Sequence, residues 1–293
     1  MTRFIGIDLA WGEGSATKAA NETGLVVLER SGRIAEAGWA RGIEQVVAWL
    51  ESHATDGDVI AIDAPLVVTN ASGMRECERE VGQRYGAWQV FANPSNLAGS
   101  WSAGITLRHR LEALGFVYSD GLRDISSDAI SFFECYPYTT LVGAYEFGYD
   151  VERPRYKRFN RTLALAERRA FRAKECDELI RRTSSLVGAE PRMDLSSHVE
   201  TARLASEPSP LPGTPYKHRE DLLDAAICVW TAALWSGYGE ERCQILGRSS
   251  APDDQGRHPV IIAPATPEQR AGSRRQRNPT ATAPVIAQFG GID

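Results

Sequence analysis

Two short apolar runs in this chain of 293 residues each end in an aspartate. Phe4 to Ile7 precede Asp8, and Val59 to Ile62 precede Asp63. Continuous apolar runs of this length are typical of central strands that are buried on both faces. A right-handed crossover would make the two strands parallel, so both aspartates should lie at the same edge of one sheet. The pattern therefore predicts an α/β fold with acids at one sheet edge.

The residues between these two runs predict the rest of the early sheet. Residues 23–29 and 33–39 flank the turn at 30–32, and we expect them to form an antiparallel hairpin. Apolar side chains recur at helical spacing over 41–54, which predicts an amphipathic helix before the strand at 58–63. The predicted order is β-β-β-α-β.

Beyond the fourth strand the apolar periodicity weakens, and residues 65–128 are predicted to form an insertion with a helix near 73–85. Four later elements are expected: a strand at 129–135, a long arginine-rich helix at 161–186, a helix at 218–236 and an edge strand at 258–263.

The domain organisation follows from these elements. Residues 1–264 are predicted to form one domain that contains the insertion. Residues 265–293 are rich in Pro, Ala, Thr and Arg without periodicity, and a disordered tail is expected there.

Composition and the absence of several motifs argue against membrane proteins, disulfide-bonded proteins and some classes of enzyme. No apolar run reaches the roughly 20 residues of a membrane span, and no signal-peptide pattern precedes the first strand, which predicts a cytoplasmic protein without membrane contact. The five cysteines are scattered without a C-x-x-C pair, which favours buried free thiols. No P-loop, G-x-S-x-G or H-E-x-x-H motif occurs, so nucleophilic and zinc chemistries are disfavoured.

The charge is unevenly distributed. The formal net charge of −5 argues against a protein that coats duplex nucleic acid. Residues 153–182 nevertheless carry a net +7, which leaves −12 on the remainder of the chain. A basic strip beside an acidic cluster could receive a phosphate backbone.

A second pair of acids, Asp221 and Asp224, lies three residues apart on one face of a predicted helix. Mg²⁺ prefers oxygen ligands, and its sites draw carboxylates from separate elements. We therefore predict that Asp8, Asp63, Asp221 and Asp224 are metal-binding and catalytic residues for Mg²⁺ or Mn²⁺. Taken singly, such acids also serve as turn formers or favour a helix N-terminus.

Further candidates surround these acids. Glu134 closes another apolar strand and could act catalytically, orient a ligand, or pair with an arginine of the basic helix. Six cations could contact phosphate: Arg155, Lys157, Arg158, Arg161, Lys217 and Arg219. Solvated helix faces or helix starts are the alternative roles for these cations.

Five motifs carry a family resemblance. They are Gly6-Ile7-Asp8-Leu9-Ala10-Trp11, Ile62-Asp63-Ala64-Pro65, Gly73-Met74-Arg75-Glu76-Cys77-Glu78, Glu134-Cys135-Tyr136-Pro137 and Lys217-His218-Arg219-Glu220-Asp221-Leu222-Leu223-Asp224-Ala225. Over residues 1 to about 240 the chain resembles the predicted nucleases of the RNase H-like fold known as domain of unknown function 429. The resemblance implies a mixed five-stranded sheet (β-β-β-α-β-α-β-α) flanked by helices, with the insertion after the fourth strand.

The resemblance also implies roles for particular residues. Asp8 matches the first-strand aspartate of such nucleases, Asp63 the acid after the fourth strand, and Asp221 or Asp224 the acids of the final helix. Glu134 belongs to the family motif without an assigned role. The predicted function is metal-dependent hydrolysis of phosphodiester bonds in nucleic acid.

Two alternatives remain open at this stage. One is an inert RNase H-like scaffold that binds nucleic acid, a nucleotide or a protein partner. The other is an actin-like phosphotransferase, which would need a second domain with a similar first strand, and the remaining residues contain no such strand opening.

Overall fold

The computed structural model describes residues 2–12, 14, 19–99 and 102–272. Its central mixed sheet has six strands in the order β3-β2-β1-β4-β6-β5. These strands are β1 (Arg3–Asp8), β2 (Glu22–Glu29), β3 (Ile34–Arg41), β4 (Val59–Ile62), β5 (Val117–Tyr118) and β6 (Ser131–Glu134). The predicted antiparallel hairpin of β2 and β3 and the parallel pairing of β1 with β4 are confirmed.

Eight α-helices accompany the sheet in the described residues. They are α1 (Gly42–His53), α2 (Glu76–Tyr85), α3 (Ala103–Ala113), α4 (Pro137–Gly143), α5 (Leu165–Ser184), α6 (Val199–Ser206), α7 (Gly213–Tyr238) and α8 (Pro267–Ala271). A separate antiparallel pair consists of β7 (Cys243–Leu246) and β8 (Ile261–Pro264). Of these helices, none is long and apolar enough to cross a membrane.

The sheet differs from the expected one by one strand, and the structure describes the first residues of the expected tail. The sheet has six strands instead of five, because β5 of the insertion pairs in parallel with β6, and two residues are too few to show a strand pattern. Part of the tail at 265–293 is ordered, because Thr266 and Gln269 form a capping box at the start of α8 and Gln269 donates to the carbonyl oxygen of Val142. Residues 273–293 lie outside the described residues.

The sheet separates two apolar clusters. The side chain of Phe4 packs on the face covered by α7, whereas Ile5 and Ile7 pack on the face covered by α1 and α3. Alternation along a strand buried on both sides explains why β1 reads as a continuous apolar run. The central strands are thereby fixed, and their carboxyl ends open on one edge of the sheet.

Helix α7 lies directly against the strands because two glycines remove the side chains between them. A Cβ atom built on Gly24 would lie 2.0 Å from the carbonyl oxygen of Asp221. A Cβ on Gly6 would lie 2.1 Å from the carbonyl oxygen of Ala225. This close approach of backbone to backbone brings the acidic turns of α7 to the edge where β1 ends.

Gly24→Ala is expected to lower the free energy of unfolding by about 2–3 kcal/mol, because the new methyl group would displace α7 from the sheet. Gly38→Ala on the neighbouring strand β3 is the matched control, since a Cβ there meets no described atom within 4 Å. The control should change stability by less than about 0.5 kcal/mol. Urea unfolding of both variants measures the difference, and equal losses would contradict the close approach of α7.

Candidate active site

A cavity of about 1010 Å³ opens at the carboxyl ends of β1, β4 and β6. Asp8, Asp63 and Asp221 lie in its wall, and the insertion contributes Arg75, Gln89 and residues 91–94 among others. We refer to this cavity as the acidic cleft. The crevice outside the carboxyl ends of strands is a common ligand position in α/β sheets.

Two neighbouring strands position the first two acids. Asp8 is the last residue of β1, and Asp63 follows β4. The backbone N–H of Asp63 donates to the carbonyl oxygen of Ile7 at 2.9 Å, which extends the parallel ladder by one residue. Both aspartates are buried and lie side by side, as the sequence predicted.

The other two acids come from α7. This helix begins at Gly213, five residues earlier than predicted, so Asp221 and Asp224 lie in its third and fourth turns. A helix N-terminus favours acids only within about its first turn, so this alternative role does not apply to either residue. The carboxyl groups of Asp221 and Asp8 are within hydrogen-bonding reach of each other.

Two lysines partly neutralise the acids. The Lys157 Nζ lies 2.8 Å from Asp224 Oδ2 and 3.7 Å from Asp63 Oδ2. The Lys217 Nζ lies 2.6 Å from Asp221 Oδ1. Three of the aspartates and both lysines line the cleft, and the fourth, Asp224, is completely buried beside Lys157, so the carboxylates outnumber these two cations.

Burial dominates the pKa values of this cluster. It raises the pKa of Asp221 to about 9, with a further rise from Asp8 and an opposing effect of Lys217. Burial also raises the pKa of Asp63 well above its ordinary value, against the opposing charge of Lys157. Burial lowers the pKa of Lys157, but the neighbouring carboxylates outweigh it and leave that pKa well above its ordinary value.

The donor set fits a hard divalent cation. All four acids supply carboxylate oxygens, which Mg²⁺ and Mn²⁺ prefer, and they come from three separate elements. Asp221 Oδ2 is buried without a hydrogen-bond donor among the described residues. No three His, Cys, Asp or Glu side chains in this part of the chain already converge at ligand spacing. The lysines must therefore shift, or fewer than three of these side chains bind the ion directly.

Glu134 has partners away from the four aspartates. Its carboxylate accepts from both terminal nitrogens of Arg75, at 2.8 and 2.6 Å, and from the backbone N–H of Leu66 at 2.9 Å. Arg75 also donates to Glu78 Oε1 at 2.8 Å. The arginine that pairs with Glu134 thus belongs to the start of α2 in the insertion, whereas the sequence alternative placed it on the basic helix.

The predicted phosphate-binding cations fall into two groups. Lys157, Arg158 and Lys217 line the acidic cleft. Arg158 also donates to Asn93 Oδ1 at 3.2 Å, which ties it to the insertion at the cleft wall.

The remaining three cations do not line the cleft. Arg155 pairs with Glu152 at 2.5 Å, and Arg161 is exposed ahead of α5. Arg219 is buried, and its guanidinium donates to the carbonyl oxygen of Leu204 at 2.5 Å. Arg219 therefore holds the connection between α6 and α7.

Two contributors to the site were missed in the sequence. Arg75 belongs to the third of the five family-like motifs, Gly73 to Glu78, but no local pattern indicates its pairing with Glu134. Tyr156 is buried next to Lys157 and donates from its hydroxyl to Asp224 Oδ1 at 2.5 Å. The sequence signal for Arg75 is its family-like motif, and that for Tyr156 is its position between the candidates Arg155 and Lys157.

The raised pKa of Asp221 predicts how stability changes with pH. Its pKa is 3.8 in a model compound and about 9 in the folded chain, so the folded state binds more protons between these values. Stability of the ion-free protein should therefore fall as the pH rises from about 4 to about 9. Asp221→Asn removes the free-energy cost of ionising this buried carboxyl group. The stability of the variant should therefore depend less on pH and exceed that of the wild type by about 1–3 kcal/mol at pH 8. Unfolding curves in EDTA at pH 5, 7 and 9 measure both effects, and parallel pH profiles would contradict this assignment.

One comparison links this geometry to other proteins. A family model described as "Protein of unknown function (DUF429)" matches residues 6–252. No curated protein and no solved structure matches the chain. The matched segment includes the four aspartates, Glu134, Arg75 and both lysines of the cleft.

Proposed function

The chain belongs to the DUF429 family of proteins of unknown function, and we propose that it is a metal-dependent nuclease with an RNase H-like fold. The strand order β3-β2-β1-β4-β6 with antiparallel β2 supports this fold. Within the described residues there is one such mixed sheet, which speaks against a duplicated, actin-like phosphotransferase.

The observation that carries the proposal is the convergence of acids from three elements. Asp8 and Asp63 end neighbouring parallel strands, and Asp221 and Asp224 reach the same edge from α7. Buried like charges repel, and a protein that keeps them together gains from a bound cation. The ligands of Mg²⁺ or Mn²⁺ would be drawn from these four residues. When bound, such an ion lowers the pKa of a water molecule and offsets charge on a phosphoryl oxygen.

The side chains around the acids suit a phosphodiester. Lys217 lies at the cleft and its side chain is half exposed, so its ammonium group can contact a non-bridging phosphate oxygen. Arg158 also lines the cleft, next to Asn93 of the insertion, where it can hold a further phosphate of a chain. A cleft with cations for more than one phosphate suits nucleic acid better than a small phosphate ester.

Aromatic side chains in the same wall support a nucleic-acid substrate. Phe91 of the insertion is exposed over 59 % of its surface and lines the cleft. Its ring lies near Gly82 of α2 and near Gly86, which follows α2, since a Cβ atom built on these glycines would lie 3.5 and 3.3 Å from the ring. An exposed ring beside cations can stack on an unpaired base.

The test is cleavage of labelled single- and double-stranded DNA and RNA by purified protein with Mg²⁺ or Mn²⁺. The proposal predicts products that appear with the metal, disappear in EDTA and are absent for Asp8→Asn. Cleavage that EDTA leaves unchanged, or that Asp8→Asn retains, would contradict it.

One observation favours a second function, an inert scaffold that binds nucleic acid. Lys157 and Lys217 already pair with the acids, so an inert scaffold would need no metal ion to offset their charge. This alternative predicts that labelled nucleic acid binds equally with and without metal, and that no substrate is cut.

A further inference from the structure

This inference rests on the proposed function and concerns how many ions the site takes. We propose that the ammonium group of Lys157 stands where a second metal ion would otherwise bind, so that the site takes a single divalent cation at Asp8 and Asp221. Two-metal sites hold their ions about 3.5–4 Å apart between shared carboxylates. The acid cluster has two halves, Asp63 with Asp224 and Asp8 with Asp221. In this chain the ammonium group of Lys157 takes the place of a metal ion in the first half.

The half formed by Asp63 and Asp224 already faces a positive charge. Lys157 Nζ contacts a carboxylate oxygen of each, at 3.7 and 2.8 Å. The second oxygen of Asp224 accepts the hydroxyl hydrogen of Tyr156 at 2.5 Å. Asp224 is completely buried, and the side chain of Lys157 is only 20 % exposed. A cation added there would have to displace a shielded ammonium group.

The backbone that carries Lys157 is held in place. Tyr156 is fully buried, and its carbonyl oxygen accepts the hydroxyl hydrogen of Tyr216 at 2.5 Å. The preceding N–H of Arg155 donates to Glu175 Oε2 at 3.0 Å. The ammonium group also lies 5.4 Å from the ring centre of Tyr138, which further favours a cation at this point. Lys157 is therefore positioned by groups on α4, α5 and α7.

The half formed by Asp8 and Asp221 faces a more exposed positive charge. Lys217 Nζ contacts Asp221 Oδ1, and Asp221 Oδ2 is buried without a hydrogen-bond donor in the described part of the chain; Asp224 Oδ2 also lacks such a donor, but the ammonium group of Lys157 lies 2.8 Å from it. The two carboxyl groups face each other within hydrogen-bonding reach. The side chain of Lys217 is 52 % exposed, so it can turn to solvent when a metal ion takes over its buried partner Asp221, while its other partner, Glu220, lies 2.9 Å from its ammonium group. We therefore place the single ion at this pair, because its lysine is the more exposed of the two.

Counting bound Mn²⁺ ions tests the inference. Calorimetric titration with MnCl₂ should give one ion per chain for the wild type and two for Lys157→Met, because removal of the ammonium group frees Asp63 and Asp224. Lys217→Met is the matched control, since it removes a cleft lysine from the other half and should still bind one ion. Lys157→Gln is a second variant that keeps a hydrogen-bond donor, and it should also bind two ions.

The outcomes separate this inference from the proposed function. Two ions in the wild type, or one ion in both Lys157 variants, would overturn the role of Lys157 and leave the nuclease proposal standing. No ion in the wild type would overturn both. Electron paramagnetic resonance provides an independent reading, because the wild type should show isolated Mn²⁺ and the Lys157 variants a spin-coupled pair. A coupled pair in the wild type would overturn the inference even if the variants failed to fold.

Discussion

Asp8→Asn is expected to lower the rate of metal-dependent cleavage by about 10³-fold or more, while the protein stays folded. The substitution keeps the shape of the side chain and removes one negative charge from the acid cluster. A factor of 10³ corresponds to about 4 kcal/mol of lost transition-state stabilisation, which is within the several kcal/mol that a bound ion contributes. Because the removed charge repels Asp221, the ion-free variant should be at least as stable as the wild type.

Asp58→Asn is the matched control for this prediction. Asp58 directly precedes β4, whereas Asp63 directly follows it, so the two lie at opposite ends of this strand. The side chain of Asp58 is buried and accepts hydrogen bonds from the backbone N–H groups of Arg3 and Thr55, both at 2.9 Å. Its loss should lower the free energy of unfolding by about 1.5–3 kcal/mol and leave the cleavage rate of folded protein unchanged. Initial rates at saturating Mn²⁺ and urea unfolding curves separate the two effects. A wild-type cleavage rate for Asp8→Asn would contradict the site.

Arg75→Met is expected to destabilise the protein by about 3–5 kcal/mol, the cost of leaving buried charges without their partner. Arg75 is 3 % exposed and pairs with both Glu78 and Glu134, which are also buried. Its terminal nitrogen Nη1 also donates to the carbonyl oxygen of Val67 at 3.1 Å. Removal therefore loosens the insertion where it joins the central sheet, and urea unfolding measures the loss.

Two variants sharpen this prediction. Arg79→Met, on an exposed position of the same helix, should change stability by less than about 0.5 kcal/mol. Adding Glu134→Gln to Arg75→Met should recover part of the lost stability, because one unpaired charge is neutralised. If the loss of unfolding free energy in the double variant equalled the sum of the losses in the two single variants, the ion pair between Arg75 and Glu134 would be contradicted. If Glu134→Gln alone abolished Mn²⁺ binding, Glu134 would act as a ligand in addition to holding Arg75.

The sheet was predictable where its strands are long or regular. The apolar runs before Asp8 and Asp63 and the hairpin of β2 and β3 are local patterns, and the structure contains all of them. Strand β5 was not predictable, because it has two residues and depends on pairing with β6. The start of α7 was placed too late because Gly213 and Pro215 look like linker residues, although proline is tolerated in the first turn of a helix.

The candidate site was predictable as a set of acids but not as a network. Strand ends and helical spacing bring Asp8, Asp63, Asp221 and Asp224 together, and these are local features of the sequence. The partners of these acids come from distant segments: Lys157 reaches Asp224, and Arg75 reaches Glu134. Such pairings depend on how the insertion and the segment before α5 pack, which a single sequence does not encode locally.

The central claim is that the acid cluster holds a divalent cation that Asp8 helps to bind. Calorimetric titration of Mg²⁺ and Mn²⁺ into the wild type and Asp8→Asn tests it most directly. We predict saturable binding to the wild type and its loss in the variant, with Asp58→Asn behaving as the wild type. Equal binding to the wild type and Asp8→Asn, or none to the wild type, would contradict the claim.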